Sequence, residues 1–276
     1  MKSHTRLDAP ARQLNLSAAL LALSVLADSG IEHYRGSFQN RAMYTSLVSA
    51  ALALGASLCG LADTRPKPHG ARDAIYAVAA ATGVAGAAFH AYNIAKRPGG
   101  LSWLNLFYAA PIGAPFALLL AGLIGRGAER VRDSERRSVR IAGIAAGRVL
   151  GALSAVGLAG TVGEAGLLHF RGAYQNPAMV LPVTLPPIAA GLLGCAAISP
   201  RRRPHRLARW WLRLTAVLGF AGVGFHAYGI SRSMGGWRNW SQNVLSGPPL
   251  PAPPSFTGLA LAGLAALCLI EEHADG

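Results

Sequence analysis

The sequence predicts an all-α integral membrane protein with eight transmembrane helices in two parallel four-helix repeats. Three observations predict this fold: a low content of charged residues, eight apolar runs of membrane-spanning length, and an internal duplication. Of the 276 residues, 14% are charged and 52% are hydrophobic, and the mean hydropathy is +0.33. Soluble domains carry about a quarter charged residues, so the composition favours a membrane protein and excludes a disordered chain.

The apolar runs are long enough to cross about 30 Å of hydrocarbon, which takes roughly 17–25 helical residues. None of them alternates with a period of two residues over its length, which argues for helices rather than membrane strands. The eight runs lie at about 14–32, 45–62, 74–92, 106–125, 141–168, 180–198, 210–230 and 255–270.

The basic residues are concentrated at one end of the predicted bundle. Most of the 26 Lys and Arg residues fall in the N-terminus, the second, fourth and sixth loops and the C-terminus. The positive-inside rule places this end, with both termini, in the cytoplasm, and we expect a bacterial-type inner membrane. The run 201–203 (RRR) is interpreted as a topology signal that contacts anionic lipid headgroups. The net charge of +14 is therefore explained by orientation, and no nucleic-acid partner is expected.

The second half of the chain repeats the first at an offset of 136 residues. The segment 33–40 (HYRGSFQN) recurs as 169–176 (HFRGAYQN), and 86–92 (GAAFHAY) recurs as 222–228 (GVGFHAY). Each repeat holds an even number of spans, so the two copies have the same orientation and a pseudo-two-fold axis along the membrane normal. The predicted units are a first repeat at 1–125, a charged, solvated cytoplasmic linker at 126–140 and a second repeat at 141–276.

The alignment of the last span in each repeat requires an insertion. Phe116 aligns best with Phe256, an offset of 140, which predicts about four extra residues in the second copy. The glycine pairs 99–100 and 235–236, together with Gly36 and Gly172, are predicted to have positive φ angles in tight turns. Small residues on the third and seventh spans predict close helix contacts and place these two helices at the centre of the bundle. These small residues are Gly83, Gly86, Gly219 and Gly222.

The duplicated motifs bring ionisable side chains to the predicted periplasmic face. Each repeat supplies two histidines at span ends and an acid five residues before the first of them. An ionisable group at the edge of the hydrocarbon is costly unless it is paired, and it marks a functional site by default. The candidate metal or cofactor ligands are Asp28, Glu164, His33, His90, His169 and His226.

These side-chain types predict a haem or a transition metal. Neutral imidazole is the commonest metal ligand in proteins, and two histidines on neighbouring helices can bind one haem iron from both faces. Arg35 and Arg171 would then pair with the haem propionates. Asp28 or Glu164 would instead ligate a metal, or orient a ligating histidine through a hydrogen bond.

The sequence therefore predicts a membrane subunit of a redox system, with haem b or a metal at its periplasmic side. Tyr92 and Tyr228 would hydrogen-bond a quinone headgroup there. The subunit would pass electrons between a periplasmic dehydrogenase and quinone, or anchor such a redox partner in the lipid bilayer. Two alternatives stay open at this stage. One is a transporter or channel whose periplasmic vestibule is lined by the duplicated motif, and the other is a cofactor-free membrane anchor or assembly protein.

Overall fold

The computed structural model of the chain describes residues 8–65, 69–108, 112–132, 139–199 and 205–274. The described helices are α1 (Asp8–Arg35), α2 (Met43–Ala62), α3 (Gly70–Ala95), α4 (Trp103–Tyr108), α5 (Gly113–Arg132), α6 (Ala146–Arg171), α7 (Leu181–Ile198), α8 (Arg206–Arg232), α9 (Trp240–Ser246) and α10 (Pro254–Ala274). Two 3₁₀ turns, Pro177–Val180 and Gly236–Asn239, precede α7 and α9. A small antiparallel hairpin, β1 (Arg140–Ile141) and β2 (Ile144–Ala145), precedes α6. Within the described residues, the fold is all-α apart from this hairpin.

Seven of the described helical segments are long and apolar enough to cross a membrane. They are α1, α2, α3, α6, the segment Pro177–Ile198 that contains α7, α8 and α10. The chain is thus a multi-pass membrane protein whose outer helix faces contact the lipid bilayer. The predicted fourth span differs from the rest, because the run 106–125 begins in α4 and the helix α5 continues to Arg132. The last turns of α5 carry four charged residues: Arg126, Glu129, Arg130 and Arg132.

The bundle has two chemically different ends. α1, α3, α6 and α8 start at the end rich in Arg, where α2, α5, α7 and α10 finish. Ion pairs between helix starts and helix ends define this arrangement, for example Arg72 of α3 with Glu129 of α5 and Arg209 of α8 with Glu271 of α10. We call this the basic end. The opposite end carries the duplicated motifs, and we call it the histidine end.

The centre of the bundle is formed by α1 and α10, which pack against each other. In the most apolar stretch of α10, 72% of the residues are buried, and in that of α1 56%, against 17% for α3 and for α8. α5 packs against α1 and α3, and α6 packs against α7 and α10. The prediction that the third and seventh spans (α3 and α8) lie at the centre is therefore wrong, since these helices lie at the periphery.

The small residues on α3 and α8 nevertheless serve the predicted close contacts. A Cβ atom at Gly83 would collide with the backbone of Leu119 and Pro115 on α5. In the second half, a Cβ atom at Gly219 would collide with Thr257 and with the carbonyl oxygen of Pro253. The peripheral helix of each half is thus held backbone-to-backbone against the helix inside it, as small residues permit in membranes.

These same contacts correct the alignment of the last helices. Gly83 and Gly86 contact Pro115, and the matching Gly219 and Gly222 contact Pro253. Pro115 therefore corresponds to Pro253, an offset of 138. The predicted offset of 140, which paired the two phenylalanines, is wrong by two positions. A shift of two residues rotates a helix face by about 200°, so the packing contacts, rather than one matching aromatic residue, determine the register.

Polar side chains of α1 hold the two halves together. Ser17 Oγ donates a hydrogen bond of 2.6 Å to the carbonyl oxygen of Gly258, and Gln13 Nε2 donates one of 3.0 Å to that of Leu261. Nearer the histidine end, Ser24 and Ser255 bring their hydroxyl oxygens to 3.0 Å. Interhelical hydrogen bonds of this kind stabilise helix association in lipid, where the hydrophobic effect between helices is absent.

Candidate functional site at the histidine end

The two copies of the histidine motif fold in the same way. In each, the ring Nδ1 of the histidine lies within hydrogen-bond distance of a carbonyl oxygen ten residues later: His33 to Met43 at 2.9 Å and His169 to Met179 at 2.8 Å. A carbonyl oxygen only accepts, so Nδ1 carries the proton and donates it. The neutral ring then has its lone pair on Nε2, where it is available to a ligand.

The chain reverses after each of these histidines in a Schellman turn. In the first copy, the backbone N–H of Phe38 donates to the His33 carbonyl and that of Ser37 donates to the Tyr34 carbonyl. The second copy makes the same two bonds, from Tyr174 to His169 and from Ala173 to Phe170. The turn therefore fixes the position of the histidine at the end of its helix in both halves.

The left-handed residues of this turn are not the ones predicted. Ser37 and Phe38 have φ of 55° and 46°, and Ala173 and Tyr174 have φ of 54° and 47°. The preceding Gly172 has φ of −82°, so the prediction of positive φ at Gly36 and Gly172 is wrong. These glycines instead make room for a methionine, since a Cβ atom there would lie 3.3 Å from Met43 Cε and 3.0 Å from Met179 Cε. Positive φ is confirmed at Gly99, Gly100, Gly235 and Gly236.

The second histidine of each repeat approaches the first. The rings of His169 and His226 have centroids 6.5 Å apart and an interplanar angle of 71°. His226 also has its Nδ1 bonded to a backbone carbonyl, that of Pro249, at 2.7 Å. In the first half, His33 and His90 lie close enough to interact electrostatically. The four predicted histidines thus form one pair per repeat.

The predicted acids lie between the halves. Asp28 of α1 and Glu164 of α6 are close enough to interact electrostatically. Glu164 Oε1 accepts a hydrogen bond of 3.3 Å from the backbone N–H of Gly113, the first residue of α5, and its carboxylate occupies the space that a Cβ atom of Gly113 would need. The Asp28 side chain makes no hydrogen bond within the described part of the chain. Within these same ranges, no group of three or more His, Cys, Asp or Glu side chains is arranged to bind a metal.

The predicted arginines have different surroundings in the two halves. Arg35 pairs with Glu32 through an Nη1–Oε1 distance of 2.7 Å on the exposed surface. Arg171 instead places its guanidinium carbon 5.0 Å from the centre of the Phe107 ring and 5.9 Å from that of Tyr108. Cation–π contacts of this kind bind the short helix α4 to the end of α6.

The predicted tyrosines are both largely exposed. Tyr92 and Tyr228 are 63% and 60% exposed, and Lys96 Nζ lies 5.4 Å from the centre of the Tyr92 ring. Beside α4, an open apolar groove of about 440 Å³ is lined by Trp103, Gly163, Gly166, Leu167 and Phe170. The structure therefore brings the histidines together but leaves both tyrosines on the outer surface.

Sequence reasoning missed a buried ion-pair cluster at the basic end. Arg72 donates to Glu129 through two bonds of 2.9 and 3.0 Å, and to Asp63 at 2.8 Å. Arg132 donates to the carbonyl oxygens of Gly60 and Asp63, both at 2.6 Å, at the end of α2. The beginning of the predicted solvated linker is therefore buried, with Glu129 only 1% exposed. Residues 133–138 of that linker lie outside the described residues.

The cluster has an electrostatic consequence at its outer edge. Hydrogen bonds from the Arg65 guanidinium and, more weakly, from Arg72 hold the pKa of the Asp63 carboxyl well below its usual range. Arg65 Nε and Nη2 bind the two carboxylate oxygens at 2.9 and 3.0 Å. A carboxylate that accepts several charged donors stays ionised. In the sequence, one residue could have indicated this ion-pair cluster: Glu129, an acid among arginines at the end of an apolar helix.

Comparison of the chain with known protein families, with curated proteins and with solved structures finds no match.

Proposed function

We propose that the chain consists of two parallel copies of one four-helix unit, with α5 completing an eighth membrane crossing. The offset of 136 between the two histidine turns, and the matching contacts of Gly83 and Gly219, support this architecture. The basic end then faces the cytoplasm of a bacterial-type inner membrane, with both termini on that side, and the histidine end faces the periplasm.

We further propose that the protein is a membrane subunit of a redox system that binds one haem at each histidine pair. One observation carries the proposal: in His33, His169 and His226 the ring Nδ1 donates to a backbone carbonyl, which leaves Nε2 for a ligand. Metal-ligating histidines are oriented in this way by a hydrogen bond from the other ring nitrogen.

The spacing within a pair supports shared coordination. Two imidazoles whose nitrogens each lie about 2.0–2.1 Å from one ion have ring centres roughly 6 Å apart. The observed separation of the His169 and His226 rings is 6.5 Å. A site with two protein ligands favours haem b over a bare metal ion, because the porphyrin supplies the other four ligands. A closed site for zinc would need about four protein ligands, beyond one pair.

In this role the protein positions the cofactor and the cofactor supplies the electron-transfer chemistry. The histidines sit at the end that we assign to the periplasm, where a soluble dehydrogenase would dock. Arg35 and Arg171 lie at the same end and are both exposed, so either guanidinium is accessible to a propionate. The electron acceptor or donor inside the membrane would be a quinone.

Absorption spectroscopy tests the proposal. We expect the full-length protein, purified from haem-producing cells, to show a redox-active haem spectrum with one haem per histidine pair. His226→Ala should remove about half of the bound haem, and the double variant His90→Ala, His226→Ala should remove nearly all of it, since each pair would then keep only one of the two histidines that would hold the haem. His69→Ala is the matched control, because His69 lies at the basic end.

Elemental analysis gives the deciding result for the metal alternative. Bound iron without a haem spectrum, or another transition metal lost in the same double variant, would assign a metal to the histidine pairs. A colourless, metal-free preparation that elutes as a folded protein would overturn the proposal.

A further inference from the structure

The first turns of α8, at the basic end, present two arginines and a tryptophan on one exposed side. Arg206, Trp210 and Arg213 are spaced four and three residues apart, which places them on the same side of a helix. All three are exposed, Trp210 by 62%. The neighbouring Arg209 lies on a different side, where it pairs with Glu271 of α10. We call Arg206, Trp210 and Arg213 the α8 face.

The two guanidinium groups of the α8 face have no counter-charge in the described part of the chain. Within those ranges, neither Arg206 nor Arg213 forms an ion pair. The segment before α8, 199–205 (SPRRRPH), contains no acid and adds three arginines. Positive charge concentrated in this way attracts anions to the surface. The α8 face therefore favours an anionic partner from outside the chain.

The position of Arg213 along α8 indicates where that partner lies. From 214 to 231 the helix has 18 residues without Asp, Glu, Lys or Arg. At about 1.5 Å of rise per residue they span about 27 Å, close to the roughly 30 Å of the hydrocarbon core. Arg213 therefore lies at the edge of the hydrocarbon, where an exposed cation turns toward the lipid headgroups. Arg206 lies about 10 Å farther out along the helix.

The same side of α8 is apolar beyond Arg213. Val217 and Phe220 continue the α8 face at helical spacing and are 66% and 61% exposed. Between the two arginines, Trp210 offers an apolar ring and one N–H donor, the combination that is enriched where lipid tails meet headgroups. Cations, an interfacial aromatic ring and apolar side chains thus follow one another in the order in which a phospholipid presents its phosphate, glycerol and acyl chains.

The spacing of the arginines favours a lipid with two phosphate groups. A guanidinium binds phosphate oxygens through paired, charge-assisted hydrogen bonds. A headgroup that joins two phosphates engages both arginines, because binding of the first phosphate raises the effective concentration of the second. Basic sites beside membrane helices on the cytoplasmic side are of the type that binds cardiolipin, a lipid with two phosphates.

The corresponding helix of the first half has none of these side chains. The positions on α3 that match Arg206, Trp210 and Arg213 are Gly70, Ala74 and Ala77. The close packing that α3 and α8 share is made by Gly83 and Gly219, on another side of each helix. The three large side chains of the α8 face are therefore not required for the packing common to both halves.

We propose that the α8 face binds one cardiolipin molecule from the membrane leaflet at the basic end. Arg206 and Arg213 each bind one phosphate, Trp210 lies between them at the level of the glycerol groups, and acyl chains lie along Val217 and Phe220. The proposal goes beyond the redox function, because the site lies at the opposite end of the bundle from the histidine pairs and requires no haem or metal.

Native mass spectrometry of the full-length protein tests the site. The protein in detergent is titrated with tetraoleoyl cardiolipin, with dioleoyl phosphatidylglycerol, which has one phosphate, and with the zwitterionic dioleoyl phosphatidylcholine. We expect cardiolipin to bind about ten-fold more tightly than phosphatidylglycerol, and phosphatidylcholine to bind most weakly. The double variant Arg206→Gln, Arg213→Gln should weaken cardiolipin binding about ten-fold or more and remove the preference over phosphatidylglycerol.

The matched control is the double variant Arg12→Gln, Arg140→Gln. It removes two exposed arginines from the same end without changing α8, so it should keep the wild-type preference for cardiolipin. Equal affinity of the wild type for cardiolipin and phosphatidylglycerol would overturn the proposal, as would equal losses of cardiolipin affinity in the two double variants. Haem content is measured on the same samples, so a colourless protein that binds cardiolipin at the α8 face would contradict only the redox function.

Discussion

The two halves of the molecule agree at the histidine end and differ at the basic end. The Schellman turns and their histidine–carbonyl bonds match residue for residue. At the basic end, the backbone N–H groups of His69 and His205 each donate a 2.9 Å hydrogen bond to a glutamate, Glu129 and Glu271 respectively. These glutamates are 142 positions apart, whereas the contacts of Pro115 and Pro253 give an offset of 138 for the same two helices. The glutamates therefore differ in position by about one helical turn. The turns of the two halves thus match in detail, whereas their ion pairs lie at different relative positions.

The largest expected difference between the halves concerns their glutamates. Glu129→Gln leaves Arg72 buried without its main counter-charge and should cost about 3–5 kcal/mol in free energy of unfolding. Glu271→Gln affects a pair whose side chains are 29% and 20% exposed, and should cost about 1 kcal/mol or less. Unfolding of the purified variants in a denaturing detergent series measures both values. Equal losses would show that burial does not distinguish the two ion pairs.

The close contact of α3 with α5 gives the next effect. Gly83→Ala places a methyl group against the backbone of Leu119, and forcing the helices apart should cost about 1–3 kcal/mol. Gly219→Ala, its counterpart, should cost a similar amount. Gly55→Ala is the control, because nothing lies within 4 Å of a Cβ atom there. Thermal unfolding in one detergent compares the three, and a control variant as unstable as Gly83→Ala would contradict the packing argument.

A compensating pair near the basic end should show energetic coupling. Asn15 lies against Gly60, whereas the second half has Gly151 and Ala196 at the matching positions. Gly60→Ala should therefore destabilise the protein because its methyl group meets the Asn15 amide. In an Asn15→Gly background the same change should be tolerated, with a coupling free energy of about 1 kcal/mol in a double-mutant cycle. Additive effects would show that the Asn15 amide and the added methyl group do not compete for the same space.

The smallest expected effect is the loss, at acidic pH, of the stability that the Asp63 ion pairs contribute. Because the folded-state pKa of Asp63 lies below its ordinary value of 3.8, its ion pairs stabilise the protein fully above that value, and the contribution is lost as the pH falls through the folded-state pKa. The melting-temperature difference between wild type and Asp63→Asn should therefore shrink from pH 6 to pH 3. Ser199, the matching residue, carries no charge, so Ser199→Ala should show a constant difference. A constant difference for Asp63→Asn would show that its charge does not contribute.

The features that could be predicted from the sequence are those that the duplication repeats. The histidine pairs were recognisable because His33, His90, His169 and His226 recur at one offset, and the helical membrane fold followed from apolar runs. The pairing of Arg72 with Glu129 could not be predicted, because the two residues are far apart in the chain and the cluster has no counterpart with the same spacing. The register of α5 and α10 depends on contacts of Gly83 and Gly219, which composition does not reveal.

Helix order was the other feature that the sequence did not determine. Small residues on α3 and α8 correctly predicted close helix contacts. Such contacts form equally well between central and peripheral helices, so small residues do not show which helices lie at the centre of the bundle. The polar residues of α1, including Ser17 and Gln13, mark the central helix more reliably, because a helix facing lipid has no partner for them.

The paired left-handed residues of the two Schellman turns have a use in protein engineering. Glycine is the usual residue at the position of Ser37 and Ala173, and a residue with a Cβ atom costs roughly 1–2 kcal/mol there. Ser37→Gly and Ala173→Gly would relieve that cost while the aromatic rings of Phe38 and Tyr174 remain in place. The two substitutions offer a route to a thermostabilised form for crystallisation or cryo-electron microscopy.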